Sequence, residues 1–271
     1  MSVLQQNRKY GDERRINEMK QTEKWFPFGI KNDKRIVLFC FAHAGGSATS
    51  FRSWDKFAGS DVQVVPVELP GHAMRFWEKP ADEIQELVKE IAQAISEVIE
   101  DRTYTLYGHS FGALLAFLTA YELEKQYHKK AGLLVVSGRH APFDEEKGGF
   151  RTYMGKQALI DEMRRLGFMS EEMLNNEEFL GIFLTVIMND YKLNEEYQYA
   201  NEKIGVPILA YSSKDDLGAE PEVMKGWNKA TNGMFRLYEM AGSHFFVYEM
   251  GKSFYELLEK NIHQYIMLET A

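Results

Sequence analysis

Short, nearly unbroken apolar runs punctuate the chain. They fall at Arg35–Ala42, Val62–Glu68, Thr103–Tyr107, Gly132–Ser137, Pro207–Ser212 and Met234–Tyr238. Strands buried on both faces read this way, whereas a sheet with one wet face alternates apolar and polar positions. Between these runs the period becomes helical. From Asp82, read as an N-cap after Pro80, to Glu100, the residues Ile84, Leu87, Val88, Ile91, Ile95, Val98 and Ile99 form one apolar stripe, the face of a helix that covers a sheet. A second helix, Phe111 to Lys125, is apolar nearly all round at its start and is expected at the centre of the fold. A last helix spans about Lys252 to Leu268. Repeated strand-then-helix units predict an α/β domain: a mostly parallel central sheet, right-handed crossovers, and flanking helices.

Two stretches break the alternation. Residues 1–24 are polar with few apolar anchors, and are expected to form a disordered extension ahead of a single domain over 25–271. Residues 144–203 hold no strand pattern but show helical ones at Gln157–Leu166, Ser170–Leu174 and Glu178–Met188. Roughly 60 helical residues exceed an ordinary crossover. This insertion is expected to form a lid over the carboxyl edge of the sheet, where ligands bind in such folds.

Composition narrows the function. Forty acids against 32 Lys and Arg give a net charge of −8, which argues against a general nucleic-acid binder with its basic stripe. The lone Cys40 excludes an internal disulfide and any Cys-based zinc site. The longest apolar run, Ile36 to Ala42, has seven residues, far short of the roughly 20 that span a bilayer. The N-terminus is polar throughout, without a secretory pattern. A soluble cytoplasmic protein is expected.

The chemistry concentrates on Gly108-His109-Ser110-Phe111-Gly112. A Gly-x-Ser-x-Gly arises by chance in roughly one chain in ten of this length, so its context decides. Here it follows a strand and opens a helix, the setting of a strained turn that exposes a nucleophilic serine above a helix N-terminus. In that fold the order is serine, acid, histidine, which leaves His128, His140, His244 and His263 as bases. His128 sits at a solvated helix end and His263 on a polar helix face. His140 follows a strand directly and is expected to line the site. His244, in Ala-Gly-Ser-His-Phe-Phe just after the last strand, is the base expected from position. Asp215 and Asp216 follow the fifth strand, and spacing does not separate them as the orienting acid. The loop Ala42-His43-Ala44-Gly45-Gly46 after the first strand can offer backbone N–H groups to an oxyanion, beside that of Phe111.

These segments resemble the type II thioesterases, free-standing editing hydrolases of nonribosomal peptide and polyketide synthesis with the α/β-hydrolase fold. The likeness is carried by Cys40-Phe41-Ala42-His43-Ala44-Gly45-Gly46, Phe51-Arg52-Ser53-Trp54, Glu68-Leu69-Pro70-Gly71-His72, the serine motif, Ser137-Gly138-Arg139-His140-Ala141-Pro142 and Gly242-Ser243-His244-Phe245-Phe246. It implies Ser110 as nucleophile, His244 as base, Asp216 as acid with Asp215 second, and the N–H groups of Ala44 and Phe111 as oxyanion donors. Ser213 stands where relatives usually carry glycine, and Ala42 where they commonly carry proline. The implied substrates are acyl or aminoacyl thioesters on the phosphopantetheine of carrier proteins, handled by a monomer without metal or bound cofactor. Docking of acidic carriers would use apolar lid contacts and bases such as Arg139, Lys156, Arg164 or Arg165. The alternatives are a general carboxylesterase or medium-chain acyl-releasing thioesterase, and a binding protein that kept the fold without the chemistry.

Overall fold

The structure, a computed structural model, describes residues 22–31, 33–144, 149–167 and 169–269. Of the expected N-terminal extension, residues 1–21 lie outside the described residues. Residues 22–25 form one helical turn that buries Trp25.

Six strands, β1 (Ile36–Phe41), β2 (Val62–Pro66), β3 (Thr103–His109), β4 (Leu133–Ser137), β5 (Ile208–Ser213) and β6 (Phe235–Met240), form one sheet in the order β2-β1-β3-β4-β5-β6. Every pairing is parallel. All six expected strands are present, with ends moved by no more than two residues. The unbroken apolar runs have a direct cause, visible in β1. Val37, Phe39 and Phe41 join one core, while Ile36, Leu38 and Cys40 join the other on the opposite face. β6, at the edge, is only partly covered.

The helices follow as α1 (Ile84–Val98), α2 (Phe111–Tyr127), α3 (Gly155–Leu166), α4 (Glu171–Leu174), α5 (Glu177–Glu196), α6 (Pro221–Met224), α7 (Phe246–Glu249) and α8 (Lys252–Glu269). The stripe of α1 and the all-round apolar start of α2 fill the first core. Phe254, Tyr255, Leu258 and Ile262 of α8 fill the second, which makes three layers. Two local expectations change. The residue before α1 is Glu83 rather than Asp82, without a side-chain cap hydrogen bond, and the Asp82 carboxylate pairs with Lys79. α5 continues past Met188 to Glu196, through a polar pair whose side chains find partners outside the helix. Asn189 donates to the Ala81 carbonyl at 3.0 Å, and Asp190 is buried against His72.

α3, α4 and α5 lie between β4 and β5 and share a small core of their own, Phe150, Leu159, Met163, Leu174, Leu180, Leu184 and Ile187. Ala44, from the loop after β1, packs against it. No helix among the described residues is long and apolar enough to cross a membrane.

Candidate active site

Ser110 sits between β3 and α2 with φ 56° and ψ −123°, a conformation that an L-residue holds only where its surroundings impose it. The turn is imposed by close packing on both sides. A Cβ on Gly108 would fall 2.1 Å from the Gly112 oxygen, and one on Gly112 would fall 2.2 Å from the Phe41 oxygen. The Ser110 N–H donates to the Ser137 carbonyl at 2.8 Å, and its own carbonyl accepts from Ala113 at 2.9 Å. Both flanking glycines are therefore required by contact, and the serine is held at the start of a largely buried helix.

His244 follows β6. Its Nδ1 lies 2.7 Å from Oδ1 of Asp216, with the carboxylate 1% exposed and the imidazole 12%. Since a carboxylate only accepts, Nδ1 carries the hydrogen, which leaves Nε2 available to a substrate or nucleophile. Asp215, next in line, is exposed to solvent. Ser213 joins the two loops: its hydroxyl donates to the Gly242 carbonyl and accepts from the Asp215 N–H at 3.2 Å.

Sequence reasoning missed what holds the imidazole from behind. His109, the variable residue of the serine motif, is fully buried with its ring centroid 4.9 Å from that of His244. Its Nδ1 meets Ser137 Oγ at 2.9 Å, which in turn meets Tyr107 Oη at 2.9 Å. His43 bonds Tyr248 Oη at 3.0 Å and packs edge-on to Phe245, itself against His244. Burial, then the neighbouring His244, pushes His43 down to about 3 and His109 well below the ordinary histidine value. Both rings are thus neutral packing partners at physiological pH. Their signal was adjacency to the two loop motifs. Gly138 closes this wall: at φ +64°, a Cβ would meet His109 Cε1 at 2.5 Å and His244 Cε1 at 3.2 Å.

Ser110, His244 and Asp216 line one cavity of about 450 Å³, with Ala44, Phe111, His140 and Arg139. Its far wall is the helical insertion, through Glu162, Arg165, Leu166, Tyr191 and Asn194. His140 lines the cavity as expected, and burial followed by the charge of Arg139 lowers it to about 4. His128 ends α2 in a left-handed turn. His263, half-buried, stands 3.6 Å from Asp61 and 3.7 Å from Glu259. Among the described residues this last trio is the one cluster with metal-ligand spacing, and it lies outside the cavity. Three of the four expected docking bases are otherwise engaged. Arg139 is buried and donates to Asn194, Arg164 pairs with Glu171 and Asp161, and Arg165 with Glu162. Lys156 is exposed.

Residues 37–265 match the model of the thioesterase domain family. The chain belongs to that family. This thioesterase is 32% identical over 242 residues to the gramicidin S biosynthesis protein GrsT of Aneurinibacillus migulanus, covering 88% of this chain and 93% of that one. Among solved structures it is similar to the RedJ thioesterase of the prodiginine pathway in Streptomyces coelicolor, with TM-score 0.77, 29% identity, and 89% and 94% of the two chains covered. It is also similar to BorB, the type II thioesterase of the borrelidin cluster, with TM-score 0.76, 29% identity, and 87% and 96% covered. The thioesterase fold is that of the α/β-hydrolases, and the thioesterase acts as a hydrolase of thioesters.

Proposed function

We propose that this enzyme clears acyl or aminoacyl groups from the phosphopantetheine arms of carrier proteins, as an editing type II thioesterase in nonribosomal peptide or polyketide synthesis. The observation that carries the chemistry is the buried 2.7 Å Asp216–His244 contact facing the cavity that Ser110 also lines. His244, oriented by Asp216, takes the proton of Ser110 as its Oγ attacks the thioester carbonyl. The backbone N–H groups of Ala44 and Phe111 receive the oxyanion. Collapse expels the pantetheine thiol, which leaves with the proton from His244. Water, activated by the same imidazole, then releases the acid from Ser110. No step calls for a metal or a bound cofactor.

The cavity lining is mixed: Arg139, Glu162, Arg165 and Glu220 border it beside Phe111, Leu166, Tyr191 and Leu217, which suits acyl groups that carry both apolar and polar parts, as aminoacyl groups do. The insertion over residues 144–203 is read as the lid, and the carrier approaches from that side. Turnover of an acetyl group on a phosphopantetheinylated carrier, against the same group on free pantetheine, tests this reading with Ser110→Ala as control. A much higher kcat/KM on the carrier, abolished in the variant, is expected. Equal rates on both would make it a general thioesterase.

A further inference from the structure

Asp190 is a buried carboxylate outside the Ser110–His244–Asp216 group. It projects from α5, 1% exposed. Its Oδ2 accepts the backbone N–H of Gly45 at 2.7 Å and lies 2.9 Å from Nε2 of His72. On its other side, Nδ1 of His72 lies 3.1 Å from the Pro70 carbonyl. A carbonyl and a carboxylate both only accept, so both ring nitrogens carry hydrogens. His72, 3% exposed, is therefore an imidazolium, and the pair is a buried ion pair between the helical insertion and the body. Burial lowers the affinity of His72 for its proton, but the charge and hydrogen bond of Asp190 outweigh it, and the balance lies above the ordinary histidine value.

The geometry around Gly45 gives the pair its consequence. The Gly46 N–H returns to the His43 carbonyl at 2.8 Å, so His43–Gly46 is a tight turn with Gly45 third at φ +74°. The middle peptide of such a turn, here Ala44–Gly45, is the one whose flip separates the common turn types. Asp190 accepts the N–H of that middle peptide and so fixes which way it faces. The same helix presses on the turn directly: a Cβ on Gly45 would lie 2.7 Å from Phe183 Cζ and 3.1 Å from Ile187 Cβ. Ala44 packs on the insertion's apolar core. A buried ion pair is a poor device for stability alone, because desolvation offsets most of its attraction. A charged acceptor one residue from an oxyanion donor has a geometric use.

We propose that Asp190 is a positioning residue, which sets the oxyanion loop from the insertion so that the donor at Ala44 is correctly aimed only while α5 is seated. The inference rests on the reading of Ser110 and Ala44 given above. Seating of the insertion and competence of the oxyanion hole thereby become one event. A substrate that holds α5 in place also completes the hole that will act on it.

The test compares full-length wild type, Asp190→Leu, the double variant Asp190→Leu/His72→Leu, Asp190→Asn and Ser110→Ala on acetyl-pantetheine, with thermal melts of each. Both leucine variants are expected to lose about 10- to 100-fold in kcat with KM nearly unchanged, since a misaimed donor acts on the transition state. Their affinity for a trifluoromethyl ketone analogue of the substrate should fall by the same factor as kcat. Asp190→Asn keeps an acceptor for Gly45 and should stay at least about threefold above the leucine variants. The double variant leaves no charge buried, and it carries the test if the single one gives no cooperative melt. A purely structural role predicts that restoring the melt restores kcat. A folded double variant within about threefold of wild-type kcat, or an Asn variant as poor as the leucine ones, would overturn the proposal. Activity surviving in Ser110→Ala would instead remove the reading on which it rests.

Discussion

Acid should destabilise this protein well before its carboxylates are titrated. His43, at about 3, and His140, at about 4, are buried and held neutral, and His109 lies well below its ordinary value. In the unfolded chain each returns to about 6.5. Between those limits the unfolded state binds one more proton per histidine, so stability falls as pH falls. At pH 5.0 His43 and His140 each contribute a loss of about 1.36 kcal/mol per unit over 1.5 units, or about 2 kcal/mol. Together they give about 4 kcal/mol, and His109 adds to the loss in the same direction. His72 has the opposite sign: its stabilisation is complete below 6.5 and is lost as pH rises through its raised folded value, so it adds no slope in this window. Glu68, raised chiefly by burial, takes up its proton earlier when folded and offsets part of the loss at the acid end. The net change from pH 6.5 to 5.0 is then about 4 kcal/mol, a large share of the 5–15 kcal/mol typical of a domain. Urea unfolding followed by tryptophan fluorescence at half-unit pH steps measures it. His140→Gln should make the change about 2 kcal/mol smaller. A total change under about 2 kcal/mol, one proton's worth, would refute the claim that three histidines stay neutral in the fold.

The remaining expectations concern the site. Asp216→Asn should lower kcat on acetyl-pantetheine by about 10³–10⁴-fold through loss of the tautomer it enforces, while Asp215→Asn stays within about twofold; equal effects would mean that the wrong carboxylate has been chosen. Gly138→Ala should lose more than about tenfold in kcat, because its Cβ meets both His109 and His244, and the left-handed backbone adds about 1–2 kcal/mol of strain visible in urea. Ser213→Gly should lower stability by about 1 kcal/mol through loss of the tie to Gly242, with steady-state kcat within about threefold.

Local patterning made most of the fold legible. Strands covered on both faces are apolar over most of their length, so β1 and β3 to β5 announce themselves despite buried polar residues such as Thr105 and Ser212, and the stripe of α1 follows from one buried face. What stayed hidden depends on partners far along the chain. Asn189 and Asp190 look like the end of a helix, yet α5 runs through them, and their partners are Ala81 and His72, more than 100 positions away. Asp215 and Asp216 share a spacing, and only the fold turns one toward His244 and leaves the other in solvent. Arg139 is expected among the bases that dock a carrier, but it is buried and donates to Asn194 of the insertion. His109 stands at the variable position of the serine motif, and nothing in a five-residue signature says that this position packs against His244.

The position of β6 at the rim of the sheet has a consequence for how this enzyme fails. The loop that presents His244 grows from one of the two edge strands, paired on one side to β5 alone and held there by the Ser213–Gly242 and Asp216–His244 contacts. Edge elements open at lower free energy than the core they border. Fraying of this one margin would withdraw His244, the proposed base, while Ser110, anchored between two buried elements at the middle of the sheet, keeps its turn. On the proposed roles, catalysis is a sentinel for this edge strand, and silent molecules that are still folded are expected to precede unfolded ones under heat or denaturant.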